Sequence, residues 1–451
     1  MNPEMIKTVG NIKRVRKISR SFASPTLDYR EALRVILEHE ENQSHSVAIR
    51  SELRAIVSHW LQSTNNPPLV LGKVFGNRWL SLLSEHVKCT GKKPKGKRNT
   101  TKIAKVSIDF SSLPFRPIHN SNFNFIDLFA GIGGFHQALQ AAGGKCVFSS
   151  ELEEHAKETY FENFGEMPFG DINNFTEKND GSILFKDSIP KHEILAAGFP
   201  CQAFSQAGRQ LGFNDARGTL FFEILKIVRS RKPEILILEN VKRLKTHDQG
   251  RTFSVIVNSL HEIGYKVYAK VLRAYDYGLP QNRERIFLIA FKNPIHFEFP
   301  TPPLKRTIHC IGDILEDTVD DYYTISDRML QGHERRLLAH KEKGNGFGFC
   351  VFTPDAKYVN TLSARYWKDG SEILIKQEGK NPRTLTPREC ARLQGFPDKF
   401  HINKSRRYAC QQFGNSVAIN VVKAVVDAAI YWNKKAKPVL SLFDHNAPVI
   451  F

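Results

Sequence analysis

The sequence predicts an α/β fold with a mostly parallel sheet, followed by a small irregular domain and preceded by a basic N-terminal extension. Between Phe123 and Phe299, short apolar runs alternate with segments of helical periodicity, which is typical of repeated βαβ units. Clustered prolines then end this rhythm. Residues 1–120 hold 21 basic and 9 acidic side chains, a net charge of +12. The predicted divisions of the chain are 1–120, 121–303, 304–400 and 401–451.

Six runs are predicted as strands of the sheet, because each is short, apolar and bounded by turn-forming residues. They are Phe123–Phe129, Lys145–Ser150, Glu193–Ala197, Glu234–Leu238, Tyr265–Leu272 and Ile286–Phe291. Residues 304–400 mix glycine, aromatic and charged residues without clear periodicity, as expected for a small irregular domain. Val417 to Trp432 is apolar and helical in pattern, so we expect it to pack back on the sheet domain.

The N-terminal extension contains two segments of helical periodicity, Asp28–Leu37 and Ile49–Leu61. Lys92–Lys105 is rich in lysine, glycine and threonine and is predicted to be a mobile linker. Two interpretations of residues 1–120 remain open at this point. The extension either adds DNA binding or regulation, or it is a poorly packed appendage.

Bulk composition narrows the function classes. The 451 residues are 41% hydrophobic, enough for a sizeable core in two or three domains, and carry a net +19 charge that favours a polyanionic partner such as nucleic acid over a merely solvated basic surface. Seven cysteines without a CxxC pair argue against a disulfide scaffold or a structural zinc site, so we expect a reducing compartment and no metal. No secretory signal or membrane span is expected.

A glycine-rich turn after the first strand is a candidate ligand cradle. It contains Gly131 and Gly133, and glycines at the carboxyl end of a parallel strand allow close approach of a ligand to the backbone. Glu151 and Asp171 follow the next two strand regions, where they could accept hydrogen bonds from ribose hydroxyls and an adenine amino group. These residues together favour an adenosyl ligand without phosphates, although a tight turn and helix caps would produce the same pattern.

Covalent chemistry is indicated at the same edge of the sheet. Cys201 follows Pro200 in a turn after a strand, where a thiol can be exposed and activated. Glu239 ends the next buried run, and Arg285 opens the last strand. A thiolate can add to carbon 6 of cytosine and so activate carbon 5, while a buried acid at ring nitrogen 3 and a cation at the carbonyl oxygen stabilise the adduct.

These motifs carry a resemblance to a known family. The segments FAGIGG, GFPCQAFS, RGTLFF, ENV, QNRERI, LTPRECARLQGFP and QFGNSV occur in the family's order. Residues 123–300 with 380–432 therefore strongly resemble the bacterial DNA (cytosine-5)-methyltransferases of the type II restriction-modification kind. The resemblance implies a Rossmann-like, S-adenosylmethionine-dependent methyltransferase domain, a target-recognition domain at 304–400, and an enzyme that flips cytosine out of duplex DNA.

The resemblance also implies roles for individual residues. It makes Cys201 the nucleophile, Glu239 the partner of ring nitrogen 3, and Arg283 and Arg285 active-site arginines, with Arg285 the contact to the base. Leu152 stands where the family often has an aromatic residue against the adenine. The implied S-adenosyl-L-methionine site comprises Phe129, Gly131, Gly133, Glu151, Leu152, Asp171, Ile172, Pro200, Leu220, Asn415 and Val417.

Contacts to double-stranded DNA are expected from two segments. Gln202 to Gly218 would be a mobile loop that closes over flipped DNA. Within this loop, Gln202 would contact the DNA, and Ser205, Arg209 and Arg217 would lie near its phosphates. The 361–370 segment, with Thr361, Arg365 and Lys368, resembles recognition segments for the inner cytosine of CCGG, CCWGG or CCNGG sites. The competing interpretation is that Phe347, Phe349 and Trp367 form the core of that small domain.

The expected partners are duplex DNA and a cognate restriction endonuclease that acts on the same site, for a monomeric, cytoplasmic and nucleoid-associated bacterial enzyme. Two other function classes stay open on the sequence. One is an RNA cytosine-5 methyltransferase, and the other is a transcriptional regulator that binds DNA through residues 1–120, which show no clear helix-turn-helix. Arg388 to Pro397 is predicted to brace the domains, and Cys390 and Cys410 to be packed thiols.

Overall fold

The structure is a computed structural model that describes residues 26–63, 70–90, 106–176, 188–200, 220–344 and 348–443. Its centre is a six-stranded sheet in the order β4-β3-β5-β6-β8-β7. The strands are β3 (Phe123–Leu128), β4 (Gly144–Ser150), β5 (Ile194–Gly198), β6 (Ile235–Val241), β7 (Lys266–Arg273) and β8 (Glu284–Phe291). β4, β3, β5 and β6 pair in parallel, whereas β8 pairs antiparallel with both β6 and β7. The predicted α/β class with a mostly parallel sheet is confirmed.

The inner strands of the sheet are buried on both faces, which explains why they read as continuous apolar runs, whereas the edge strand β7 is largely exposed or part-buried. Successive residues of β6 alternate between two cores, with Leu236 and Leu238 in one and Ile235 and Ile237 in the other. The helices between and beside the strands are α4 (Gly134–Ala141), α5 (Glu154–Phe164), α6 (Asn173–Thr176), α7 (Leu220–Arg231) and α8 (Arg251–Glu262). Short 3-10 turns lie at Lys242–Lys245, His247–Gly250 and Ala274–Tyr277.

The N-terminal extension packs on the sheet domain. It comprises β1 (Thr26–Asp28), α1 (Tyr29–Glu41), α2 (Val47–Gln62), α3 (Val70–Thr90) and β2 (Ser107–Asp109). Ile56 and Trp60 are almost fully buried in the same core as Phe148 and Phe169 of the sheet domain. The appendage interpretation is therefore wrong for residues 26–63 and 70–90, and the two predicted helices are confirmed. The predicted 92–105 linker lies outside the described residues.

The C-terminal part forms a third core together with the sheet domain. Its elements are α9 (Asp327–Glu342), β9 (Val351–Phe352), β10 (Leu374–Ile375), α10 (Pro387–Leu393), α11 (Arg406–Asn415) and α12 (Ile419–Phe443), with 3-10 turns at Ile311–Ile314 and Asp321–Tyr323. Leu393 and Phe413 lie in one core with Tyr160 of α5. Packing thus continues across the predicted division at residue 400. Cys390 and Cys410 are buried in this core, as predicted.

One C-terminal stretch of the described chain contains a window apolar enough to resemble a membrane span. The stretch Arg406–Ala436 passes the test of length and hydropathy, but 56% of its most apolar window is buried inside the protein. Val421, Val422 and Val425 of α12 are almost fully buried against one face of the sheet. Packing of a core helix accounts for the apolar composition of α12, as the sequence predicts.

Candidate active site

A strained turn links β3 to α4 at the carboxyl edge of the sheet. Phe129 has a φ of +54°, a left-handed conformation that is uncommon for a residue with a side chain, and Gly131 and Gly133 have φ of +54° and +86°. Glu151, at the end of β4, holds this turn, because its Oε2 accepts a hydrogen bond from the Gly131 amide at 2.7 Å. Strain of this kind is concentrated at ligand sites.

The Glu151 carboxylate is also used by its own loop. Its Oε1 accepts hydrogen bonds from the amides of Leu152 and Glu153, both at 2.9 Å. A carboxylate offers about four acceptor positions, so these bonds and the one from Gly131 leave about one for a ligand. A hydrogen bond from one ribose hydroxyl to Glu151 is compatible with this geometry. Hydrogen bonds from both hydroxyls would require the second hydroxyl to share an acceptor position with a backbone amide.

Glu239 and Arg285 form a buried ion pair on neighbouring antiparallel strands. Glu239 lies near the end of β6 at 8% exposure, and its Oε1 lies 3.2 Å from Nε of Arg285 at the start of β8. Burial raises the pKa of Glu239, and the positive charges of Arg285 and Arg283 offset part of that rise. Burial also lowers the pKa of Arg285. The pair therefore combines an acid whose protonated form is favoured with an adjacent cation.

Arg283 has a different environment from Arg285. Its guanidinium donates hydrogen bonds to the backbone carbonyls of Leu362, Gly414 and Ser416, and its side chain is almost fully buried. Burial lowers its pKa to about 9. These contacts tie the start of β8 to two distant segments of the chain. Arg283 is therefore placed to position the wall of the site, although its side chain also borders the cavity described below.

Asn240 is a site residue that the motif analysis missed. It is 3% exposed, donates from Nδ2 to the Phe199 carbonyl at 2.8 Å, and accepts at Oδ1 from the Val241 amide. The bond to Phe199 fixes the end of β5 immediately before Pro200. Its position beside Glu239 at the end of a buried strand was the available signal, since a buried polar side chain there must find a partner.

The turn, the ion pair and the end of β5 surround one cavity of about 470 Å³. That volume lies within the usual range for small-molecule sites, roughly 300–1,000 Å³. The predicted site residues that line it are Phe129, Gly131, Glu151, Leu152, Pro200, Leu220, Glu239, Arg283, Arg285 and Asn415. Further lining residues that were not predicted include Asn240, Gln411, Gln412 and Ser416.

Four predicted cofactor residues are not on this wall. Gly133 caps α4, and a Cβ there would lie 2.2 Å from the Phe164 ring. Ile172 and Val417 are buried core residues at 2% and 7% exposure. Asp171 follows Phe169, whose only strand pairing is an isolated bridge to Ser150, and its Oδ1 accepts from the amide and side chain of Asn173. Their cofactor roles stay predictions.

Several predicted residues fall outside the described part of the chain, namely Cys201, Gln202, Ser205, Arg209, Arg217 and Phe347. In the predicted recognition segment, Arg365 and Lys368 are exposed, and the Thr361 hydroxyl donates to the Asn282 carbonyl at 2.7 Å. Trp367 is half-buried beneath Arg407, whose guanidinium carbon lies 4.6 Å from the ring centroid.

One group of side chains away from the cavity has a composition suited to metal. His136, Cys146 and Glu166 are all buried, and each offers a ligand atom within 4.8 Å of the others. Tyr160 already occupies this group, with its hydroxyl 2.6 Å from Nδ1 of His136 and 3.8 Å from Sγ of Cys146. These contacts are those of a buried polar cluster beneath the turn, and we treat it as such.

Comparisons with known proteins converge on one family. The family described as C-5 cytosine-specific DNA methylase matches residues 123–430. Type II methyltransferase M1.ScrFI of Lactococcus lactis subsp. cremoris is 50% identical over 333 residues, 72% of this chain and 82% of the relative. Type II methyltransferase M.SsoII of Shigella sonnei is 50% identical over 336 residues, 72% of this chain and 85% of the relative.

Solved structures support the same fold. The Entamoeba histolytica methyltransferase EhMeth superposes with a TM-score of 0.56 at 20% identity, covering 69% of this chain and 99% of that one. The S. pombe Dnmt2 methyltransferase gives a TM-score of 0.55 at 19% identity, covering 70% and 99%. At these identities the likeness concerns the fold alone.

Proposed function

Because the chain belongs to the C-5 cytosine-specific DNA methylase family and is a DNA (cytosine-5-)-methyltransferase, we propose that it methylates a flipped-out cytosine through a covalent adduct with Cys201. The observation that carries this proposal is the buried Glu239–Arg285 pair, which lines the same cavity as the glycine-rich turn. Pro200, on the same wall, immediately precedes Cys201 in the chain. The predicted nucleophile thus follows, in the chain, a residue that lines the same cavity as the acid and the cation.

The cavity fits the adenosyl cosubstrate that the family implies. Its volume of about 470 Å³ and its mixture of apolar and polar lining residues suit a nucleoside with a charged tail. Phe129 and Leu152 offer apolar contacts, and Glu151 retains an acceptor position for a ribose hydroxyl. When bound, S-adenosylmethionine supplies the electrophilic methyl group. We assign Asn415 and Leu220 to the same site.

The residues of the chain then act on the cytosine ring. The Cys201 thiolate forms a bond to carbon 6, and the electrons of the 5,6 double bond become available at carbon 5, which takes the methyl group. Loss of the proton from carbon 5 restores the double bond and expels the thiolate. The net products are 5-methylcytosine, the demethylated cosubstrate and one proton, and the protein is unchanged.

Glu239 and Arg285 stabilise the adduct. Burial keeps Glu239 protonated to a higher pH than an exposed glutamate, so it can donate a proton or hydrogen bond to ring nitrogen 3. Arg285 supplies a positive charge for the carbonyl oxygen as electron density accumulates on the ring. Their 3.2 Å contact fixes both side chains before the base arrives, so little reorganisation is needed at the moment of reaction.

The DNA target and biological role are further parts of the proposal. Cytosine is unreachable inside a duplex, so the reaction requires base flipping. We propose the inner cytosine of a CCGG, CCWGG or CCNGG site, read through the segment containing exposed Arg365 and Lys368. The type II relatives support modification that protects DNA against a cognate restriction endonuclease. We propose that the enzyme acts as a cytoplasmic monomer.

A trapping experiment tests the reaction and the nucleophile. The full chain is mixed with S-adenosylmethionine and duplexes containing 5-fluorocytosine at each candidate site. Fluorine at carbon 5 cannot leave as a proton, so the adduct with Cys201 should persist through denaturation. We expect such a complex with one duplex and none after Cys201→Ala. Cys350→Ala, which removes a partly exposed free thiol elsewhere, is the matched control and should trap normally.

Other outcomes would contradict the proposal. A complex that survives in Cys201→Ala would exclude Cys201 as the nucleophile. Trapping on a fluorocytosine-containing RNA, with no complex on any duplex, would replace the DNA substrate by RNA. Cosubstrate binding can be measured separately by calorimetry, which distinguishes a failure of recognition from a failure of the site.

A further inference from the structure

One face of α2 follows the backbone of residues 164–170, the segment that leads from α5 toward Asp171. Gln62 donates to the Phe164 carbonyl at 2.8 Å, and Ser58 accepts from the Met167 amide at 3.0 Å. The Glu52 carboxylate accepts from the Gly170 amide. At 3.6 residues per turn, positions 52, 58 and 62 fall within about one third of the helix circumference, so they lie toward one side of the helix. The N-terminal extension thereby supplies hydrogen-bond partners for an irregular segment of the sheet domain.

Glu52 makes the contact at the end of this segment. It is 6% exposed, and both carboxylate oxygens lie 3.1 Å from the Gly170 nitrogen. A Cβ at Gly170 would lie 2.8 Å from Oε1, so the close approach depends on glycine. Burying a carboxylate is unfavourable unless it is hydrogen-bonded, and burial does raise the pKa of Glu52. The contact is therefore a specific one rather than an incidental surface pairing.

Gly170 separates two fixed points of the backbone. On its N-terminal side, the Phe169 amide donates to the Ser149 carbonyl, and the Phe169 carbonyl accepts from the Glu151 amide, both at 2.9 Å. On its C-terminal side, Asp171 binds Asn173 through Oδ1 only, and within the described part of the chain Oδ2 has no hydrogen-bond partner. The carboxylate of Glu52 thus holds the amide side of the Phe169–Gly170 peptide unit, whose carbonyl side is held by the Glu151 amide, immediately before Gly170 leads into Asp171.

We propose that Glu52 is a positioning residue for the S-adenosylmethionine site, which it serves by fixing Gly170 and through it Asp171. The inference rests on the proposed function and on the sequence-based prediction that Asp171 accepts a hydrogen bond from the adenine amino group. It gives residues of the extension, which lie outside the 123–430 family match, a part in cosubstrate affinity. Without its acceptor, the Gly170 amide is left unsatisfied or is hydrated by movement of the backbone, and Asp171 loses its preferred orientation.

The test compares three variants of the full chain by calorimetry with S-adenosylmethionine and by steady-state kinetics on a methylatable duplex. Glu52→Ala should weaken cosubstrate binding roughly tenfold and raise its KM similarly, because one buried hydrogen bond to a charged acceptor is lost. The kcat at saturating cosubstrate and the KM for DNA should stay at wild-type values. Glu52→Gln retains an oxygen acceptor for the Gly170 amide and should restore most of the affinity.

Ser58→Ala is the matched control. It removes an acceptor from the same helix to the same segment, but at Met167, which the pinned Phe169 separates from Asp171. It should lower the melting temperature without changing cosubstrate affinity. Equal weakening of cosubstrate binding in Ser58→Ala and Glu52→Ala, or wild-type cosubstrate affinity in Glu52→Ala, would overturn the inference. Cosubstrate binding and trapping by the wild-type chain would still leave the proposed function intact. A wild-type chain that binds no S-adenosylmethionine would overturn the proposed function, and the inference with it.

Discussion

Replacing Glu166 by glutamine is expected to abolish a loss of stability between pH 6.5 and 8. Glu166 is 3% exposed beneath the glycine-rich turn, and its Oε2 lies 3.9 Å from Nε2 of His59 and 3.9 Å from Nδ1 of His136. Burial raises the pKa of Glu166 to about 8, with Cys146 and Lys145 opposing the rise. Burial lowers the pKa of His59 to about 4 and that of His136 to about 3.

The sign follows from proton binding in the two states. Between pH 4.5 and 8, folded Glu166 keeps its proton while the unfolded chain has lost it, so stability falls as pH rises. The two histidines act oppositely, because the unfolded chain binds their protons near pH 6.5 whereas the folded chain does not, and this contribution is common to the wild-type chain and Glu166→Gln. The difference between the two proteins from pH 6.5 to 8 therefore reports the titration of Glu166. One proton over this range corresponds to roughly 2 kcal/mol.

The assay is urea unfolding at pH 6.5 and pH 8, followed by tryptophan fluorescence. The wild-type chain should lose about 2 kcal/mol more than Glu166→Gln between these pH values. Glu162→Gln is the control, since this half-exposed glutamate on α5 pairs with Arg30 at the surface and should leave the slope unchanged. Equal slopes for the wild-type chain and Glu166→Gln would refute the assignment of a raised pKa to Glu166.

Three further substitutions test the site and the cores around it. Glu239→Gln should lower kcat about 10²- to 10⁴-fold in a methyl-transfer assay, because it removes the acid. Cosubstrate affinity, measured by calorimetry, should stay unchanged. A wild-type kcat would exclude an acid role for Glu239. Gly133→Ala should lower the free energy of unfolding by about 1–3 kcal/mol, because φ is +86° and the added Cβ meets the Phe164 ring; unchanged stability would contradict that clash. Arg383→Met should lower the free energy of unfolding by roughly 3–5 kcal/mol, because it leaves Glu389 as a buried unpaired charge. In the wild-type chain, Arg383 contacts this carboxylate twice, both times at 2.8 Å. A loss below about 1 kcal/mol, as for a surface ion pair, would contradict this prediction.

The sheet could be predicted from sequence because its inner strands are buried on both faces. Such strands leave continuous apolar runs that stand out between helical segments. The predicted run Glu234–Leu238 and the observed Ile235–Val241 differ at their ends because Glu239 and Asn240 continue the strand. Polar residues at a functional strand end do not follow the apolar pattern. Their departure from the pattern is what makes them candidates for the site.

The packing of the N-terminal extension was beyond the reach of sequence periodicity. The pattern correctly predicted apolar faces on α1 and α2, but periodicity does not identify the surface against which such a face packs. Buried polar residues of α2, such as Glu52 and Ser58, read as ordinary helix-surface positions. Their partners are backbone amides at residues 170 and 167, and backbone groups carry no sequence signal. The high basic charge of the first 120 residues favoured DNA binding rather than packing against the sheet domain.

The two arginines of QNRERI show how far a motif can assign roles. Arg283 and Arg285 are two residues apart near the start of β8, so the pattern alone treats them as equivalent. Their partners separate them, because Arg285 contacts Glu239 whereas Arg283 binds the carbonyls of Gly414 and Ser416, on either side of Asn415. Both Glu239 and Asn415 line the cavity. The two arginines of one short motif therefore position a residue assigned to the base and a residue assigned to the cosubstrate. We therefore infer that Arg283 acts on cosubstrate binding through Asn415, and Arg285 on the chemistry of the ring.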